Sequence, residues 1–178
     1  MRQVRVARDG YILISIIFYI AGILYMALSP VPPLTVCISS GTILIIYGIV
    51  KIIGYFSDDL YCLAFQYDFA CGLFLIVMGA IAIGRNVRIW QHLSPCLGVL
   101  ILLDALLKLQ ISKDACKFGL QTWNRILAAA ILAGILGALI IVKPFPGVRI
   151  SHMIGGCGLL AEGVMNHLLV KETVIFRH

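Results

Sequence analysis

Charge is what this chain has least of. Asp, Glu, Lys and Arg make up 12% of its 178 residues, against about a quarter in soluble domains, while 61% of the chain is hydrophobic. No polar stretch is long enough to fold as a separate soluble domain, so any chemistry must sit within a membrane or at its faces. Catalytic signatures are also lacking. The sequence holds no GxSxG, no HExxH, no Walker loop, and no Ser, His and acid set at helical spacing on one face, so it is read as no enzyme. Its six cysteines (37, 62, 71, 96, 116 and 157) form no CxxC and no metal-ligand spacing. That argues against a disulfide framework and a zinc site, and no cofactor is expected. A basic stripe is missing as well: the net charge of +6 is spread over loops and helix ends, which reads as topology and lipid headgroup contact and not as nucleic-acid binding.

What the chain does have is apolar length and repetition. A mean hydropathy of +1.03 marks an integral membrane protein whose first partner is the lipid bilayer. The stretch GTILIIYGIVK (41–51) has two counterparts, so that Gly22, Gly41, Gly48 and Lys51 recur 57 residues on as Gly79, Gly98, Ala105 and Lys108. They recur again 58 residues further as Gly137, Gly156, Gly163 and Asn166, and in each copy the first two glycines lie nineteen apart. A unit of this length holds two membrane helices and their turns. The expected architecture is therefore all-α and integral to the membrane, with six transmembrane helices as three repeated helical hairpins. It forms one membrane domain (1–178) with repeats at approximately 8–60, 65–117 and 123–175.

Apolar runs place the spans at Tyr11 to Leu28, Leu34 to Phe56, Leu63 to Gly84, Leu93 to Ile111, Ile126 to Val142 and Ile150 to Val170, each 17 to 23 residues. That is enough to cross a core of about 30 Å. SPVPP (29–33), RNVRIWQH (85–92) and KPFPG (143–147) read as the connectors closing the three hairpins. MRQVRVAR before the first run looks superficially like a signal peptide, but the run is longer than a usual h-region and helix 1 corresponds to helices 3 and 5, which favours retention. Eight basic residues (Arg2, Arg5, Arg8, Lys113, Lys117, Arg125, Lys171 and Arg177) fall on one face. Four (Arg85, Arg88, Lys143 and Arg149) fall on the other. The positive-inside rule then puts both termini in the cytoplasm, in the inner (plasma) membrane. Trp90, Trp123, Tyr11, Tyr55 and Tyr61 fall at span ends, where aromatic rings favour the headgroup layer.

Small residues seven apart mark a packing face on each span: Ser15 and Gly22, Gly41 and Gly48, Gly72 and Gly79, Gly98 and Ala105, Ala130 and Gly137, Gly156 and Gly163. In lipid, such seams let backbones approach. Ionisable residues inside the spans are few: Lys51, Asp104, Lys108, Glu162 and His167, with Asp68 near the start of helix 3. Tyr47, Asp104 and Glu162 occupy one repeat position, and Lys51, Lys108 and Asn166 another. Packing of the repeats about a pseudo-threefold axis would bring these polar positions together between helices 2, 4 and 6. Such a cluster could respond to protons, because burial favours the neutral form of a carboxyl and Asp104 or Glu162 could take up a proton in mild acid. The plainer alternative, preferred on nearness to the span ends, has Lys51 and Lys108 snorkelling to the headgroups while the carboxylates tie helices together. His92 and His152 begin helices 4 and 6 on the face opposite the termini, where they could sense external acid or simply supply interfacial polarity.

GILYMALSPVPPL (22–34) followed by SGTILIIYGIVKIIGYF (40–56), with GALIIVKPFPG (137–147) in the third copy, resembles the short-repeat membrane family that includes HdeD, the bacterial acid-resistance membrane protein. The second copy departs from the pattern, having RNVRIWQH for the Pro turn and LLDALLK for the Gly-Ile. The resemblance implies a six-helix inner-membrane protein, with acid-stress protection in one branch and no catalytic residues to carry over. The reading is thus a non-enzymatic HdeD-like membrane protein in acid or envelope stress protection. A small transporter or proton-coupled channel using the intramembrane carboxylates is the alternative. The large lipid-facing surface leaves room for a homo-oligomer.

Overall fold

The computed structural model describes residues 2–27, 32–57, 65–84, 86–142 and 148–173. They form six helices: α1 (Arg2–Ala27), α2 (Pro33–Tyr55), α3 (Asp68–Gly84), α4 (Asn86–Lys117), α5 (Trp123–Val142) and α6 (Val148–Thr173). All but α3 are long and apolar enough to span a bilayer, and α3 is a shorter apolar helix of 17 residues. The protein is a multi-pass helical membrane protein. Its surface is inverted relative to a soluble fold. Leu13, Ile20, Leu73, Val77, Leu132 and Ile135 are about half exposed, while Lys51, Asp68, Asp104, Lys108 and Glu162 are buried. Only a hydrocarbon solvent makes that arrangement favourable.

The helices alternate in direction. α2 packs most extensively on α3, α4 on α5 and α6 on α1, so the closest partners come from different sequence hairpins and not from within one. Glycine explains the choice. A β-carbon at Gly48 would stand 2.5 Å from the Gly72 carbonyl oxygen, and one at Gly41 2.8 Å from that of Gly79, so α2 and α3 touch backbone to backbone. Gly22 meets Gly156 in the same way between α1 and α6, and Gly98 meets Gly137 between α4 and α5. Gly163 lies against Tyr19 and the Ser15 carbonyl, and Ala105 against Gly134.

The helix boundaries correct three expectations. RNVRIWQH is not a connector, because residues 86–92 open α4 and lengthen it to 32 residues. This segment contains no Gly or Pro to stop a helix, and α4 also runs through Pro95. The basic segment before Tyr11 likewise belongs to α1. In the third case α3 starts at Asp68 and not at Leu63, after a turn in which the Asp68 N–H donates to the Phe65 carbonyl. The Pro-containing connectors at 29–31 and 143–147 lie outside the described residues, as do Tyr61 and the Trp90 side chain.

Candidate functional site

Three helices running the same way each bring a polar pair one turn apart to the centre of the bundle: Tyr47 and Lys51 from α2, Asp104 and Lys108 from α4, Glu162 and Asn166 from α6. Repeat-equivalent positions therefore face one another. The Tyr47 hydroxyl lies 3.3 Å from Asp104 Oδ2, 3.2 Å from Glu162 Oε1 and 3.0 Å from Asn166 Oδ1, and can donate to one of them at a time. Lys108 Nζ donates to Asp104 Oδ2, to Asn166 Oδ1 at 2.5 Å and to Glu162 Oε1 at 3.4 Å. Lys51 Nζ lies 3.0 Å from Asp104 Oδ1, so Asp104 bridges both lysines.

Lys51 also reaches outward to α3 and α1. It pairs with Asp68 Oδ1 at 2.8 Å, and its Nζ is 3.4 Å from the Tyr11 hydroxyl, which itself donates to Asp68 Oδ2. The ammonium sits 5.0 Å from the Tyr47 ring centroid and 5.6 Å from that of Tyr11, within cation–π range. Five helices, all but α5, thus share one continuous network.

These positions overturn two expectations. Lys51 and Lys108 do not snorkel: they are 2% and 1% exposed, because carboxylates on neighbouring helices meet them where they stand. Tyr11 is no headgroup anchor. It is fully buried, since α1 extends nine residues beyond it and carries it into the bundle. Tyr11 and Asp68 are the members that a reading of the apolar runs places at span ends. The signal for them is their separation of 57 residues, the repeat offset.

His92 and His152 stay at the other end of the bundle, His92 about 12 residues, or ~18 Å, up α4 from Asp104. His92 is exposed, while His152 packs its ring 4.9 Å from that of Tyr25 and leaves a buried Nδ1 with no hydrogen-bond partner among the described residues. His167 is half-buried, outside the network.

The network holds two ammonium groups, Lys51 and Lys108, against three carboxyls, Asp68, Asp104 and Glu162. Asp68 and Asp104 are each engaged by a lysine at 3.0 Å or less. Glu162 is the loosest, with Lys108 at 3.4 Å, Asn166 Nδ2 at 3.3 Å and its Oε2 buried without a hydrogen-bond partner among the described residues. The Asp104 and Glu162 carboxyls share two partners, the Tyr47 hydroxyl and the Lys108 ammonium, and like charges held this close favour a proton on one of them. Among the described residues no group of three or more His, Cys, Asp and Glu is placed to hold a metal ion.

A family model described as a short repeat of unknown function (DUF308) matches residues 13–84, from the fourth turn of α1 through the end of α3. No curated protein and no solved structure matches the chain. The similarity to an apolar short repeat agrees with the helical membrane architecture and with the internal repetition.

Proposed function

We propose that this chain is a non-enzymatic, HdeD-like membrane protein, with both termini cytoplasmic, whose buried ionic network binds a proton as part of acid or envelope stress protection. The observation that carries this reading is the surplus carboxyl. An unpaired charge in hydrocarbon costs on the order of 2.5–3.5 kcal/mol, and a fully ionised network leaves one negative charge unmatched. A proton on Glu162 removes that charge and turns the carboxyl into a donor toward Asp104. Loss of the proton leaves two adjacent carboxylates that repel across α4 and α6, a local event able to alter how the helices pack. The matched short repeat and the sequence resemblance support the HdeD-like assignment.

The test is infrared spectroscopy of the reconstituted protein, following the protonated-carboxyl C=O stretch through a pH titration. The expected result is one buried protonated carboxyl that disappears in Glu162→Gln. A spectrum that the substitution leaves unchanged overturns the assignment.

A second reading, a small transporter or proton-coupled channel, is favoured by the cavities beside this network. Liposome flux separates the two. Proton or dye movement across the bilayer that Asp104→Asn or Glu162→Gln abolishes makes the protein a carrier, whereas proton binding without flux makes it a sensor or a structural element.

A further inference from the structure

Two cavities lie end to end between α3 and α4. The inner one, about 70 Å³, has Tyr47, Asp104 and Glu162 in its wall, with Phe74, Leu75 and Leu103 beside them. The outer one, about 90 Å³, is bordered by Met78, Ile81, His92 and Cys96. Leu44, Leu97 and Leu100 line both and form the partition. His92 is exposed, so the outer cavity reaches the surface toward the end of the bundle opposite the termini, while the exposed Phe74 and Leu103 put the side of the inner cavity against lipid.

The cleft has a cause in the repeat. At the equivalent positions Phe18, Leu75 and Ala133, the first copy lays its ring edge-on against Tyr47, with centroids 5.3 Å apart, whereas Leu75 brings a smaller side chain toward Asp104. Of the three sequence hairpins, α3 and α4 also pack least closely.

We propose that this cleft is the path by which a proton reaches the Asp104–Glu162 pair from the end opposite the termini, with Leu44, Leu97 and Leu100 as a hydrophobic gate. The proposal rests on the network being the proton-binding site. The leucine partition is apolar, and apolar constrictions stay dry until they open by wetting. When Glu162 is neutral, nothing draws water past the leucines. When it is ionised, the uncompensated charge favours water in the inner chamber. A hydronium ion there gives its proton to the carboxylate and departs as water, which restores two positive charges against two negative ones. The groups that face the pair and set its charge are Tyr11 from α1, Tyr47 and Lys51 from α2, Asp68 from α3, Lys108 from α4 and Asn166 from α6. The charged residue of α5, Arg125, pairs instead with Glu172 at the termini end.

The chain carries its own reporters, since Cys71 lines the inner chamber and Cys96 the outer. The experiment applies a charged, membrane-impermeant methanethiosulfonate to the full chain in vesicles, from the side bearing His92, and reads each cysteine by peptide mass spectrometry. Cys96 is expected to react and Cys71 to be protected. Leu97→Ser is expected to raise the Cys71 rate on the order of tenfold by wetting the partition. Leu100→Ala, a milder change, should act in the same direction if Leu97→Ser fails to fold. An unchanged Cys71 rate in folded variants overturns the proposal. So does labelling of both cysteines by a lipid-soluble maleimide alone, which would make the cleft a groove open to the bilayer. The infrared result for Glu162 is independent of the labelling, so failure of the path and failure of the proton site are distinguishable.

Discussion

Helix α3 meets its two neighbours in opposite ways. Toward α2 it presents Gly72 and Gly79, each against a glycine, and the seam ends in the buried Lys51–Asp68 pair. Toward α4 it leaves two chambers, walled by side chains that do not fill the space. The first face removes freedom and the second retains it, on a single helix of 17 residues. In a membrane, where apolar surface gives no drive for association, such a difference in backbone approach decides which contacts hold the bundle and which can open.

The seam is most sensitive at its charged end. Lys51→Met removes the ammonium shared by Asp68 and Asp104 and leaves buried carboxylates unmatched, with an expected loss of about 3–5 kcal/mol. Adding Asp68→Asn should recover a large part of this, because it withdraws one of the stranded charges. Thermal unfolding of the single and double variants in detergent measures both. If Lys51→Met unfolds like the wild-type protein, the pair does not hold α2 to α3 and the contrast between the two faces of α3 fails. Next in size is the glycine contact itself. Gly48→Ala places a methyl group where the Gly72 carbonyl stands, so the helices must part, at an expected cost of about 1–3 kcal/mol. Gly84→Ala is its control, since a β-carbon there meets nothing within 4 Å.

Much of this molecule is legible in its sequence because repetition converts spacing into geometry. Tyr47, Asp104 and Glu162 share a register position, and residues in one register on three like-directed helices must face a common axis. Their meeting follows from the 57- and 58-residue offsets. The seven-residue spacing of Gly41 with Gly48 and of Gly72 with Gly79 likewise marks a contact face, though not its partner. That α2 takes α3 and not α1 depends on which glycines can lie carbonyl to carbonyl, a matter of three dimensions. Lys51 is misread for a related reason. Its nearness to a span end suggests headgroups, but α3 begins late, at Asp68, and delivers a carboxylate to the same depth. The cleft is the least legible feature. Phe18, Leu75 and Ala133 are all ordinary apolar residues in an apolar span, and only the packed bundle turns their differing volumes into space beside Asp104.

The smallest expected effect bears most directly on that space. Leu75→Phe copies into the second repeat the ring that Phe18 supplies in the first, and a larger side chain at this buried position is directed at the inner chamber of about 70 Å³. Filling a cavity commonly adds about 0.5–2 kcal/mol, and for a chain of this size each kcal/mol moves Tm by roughly 2–4 °C. The variant should therefore melt slightly higher than the wild type, while Cys71 in the Leu97→Ser background loses its gained reactivity. The two readouts answer different questions. A lower Tm means that the wall of the chamber cannot yield to the ring, so the space at Leu75 is too narrow to be a path. A higher Tm with Cys71 still reactive means that the chamber fills without closing, and that water reaches Asp104 and Glu162 along another face of α3.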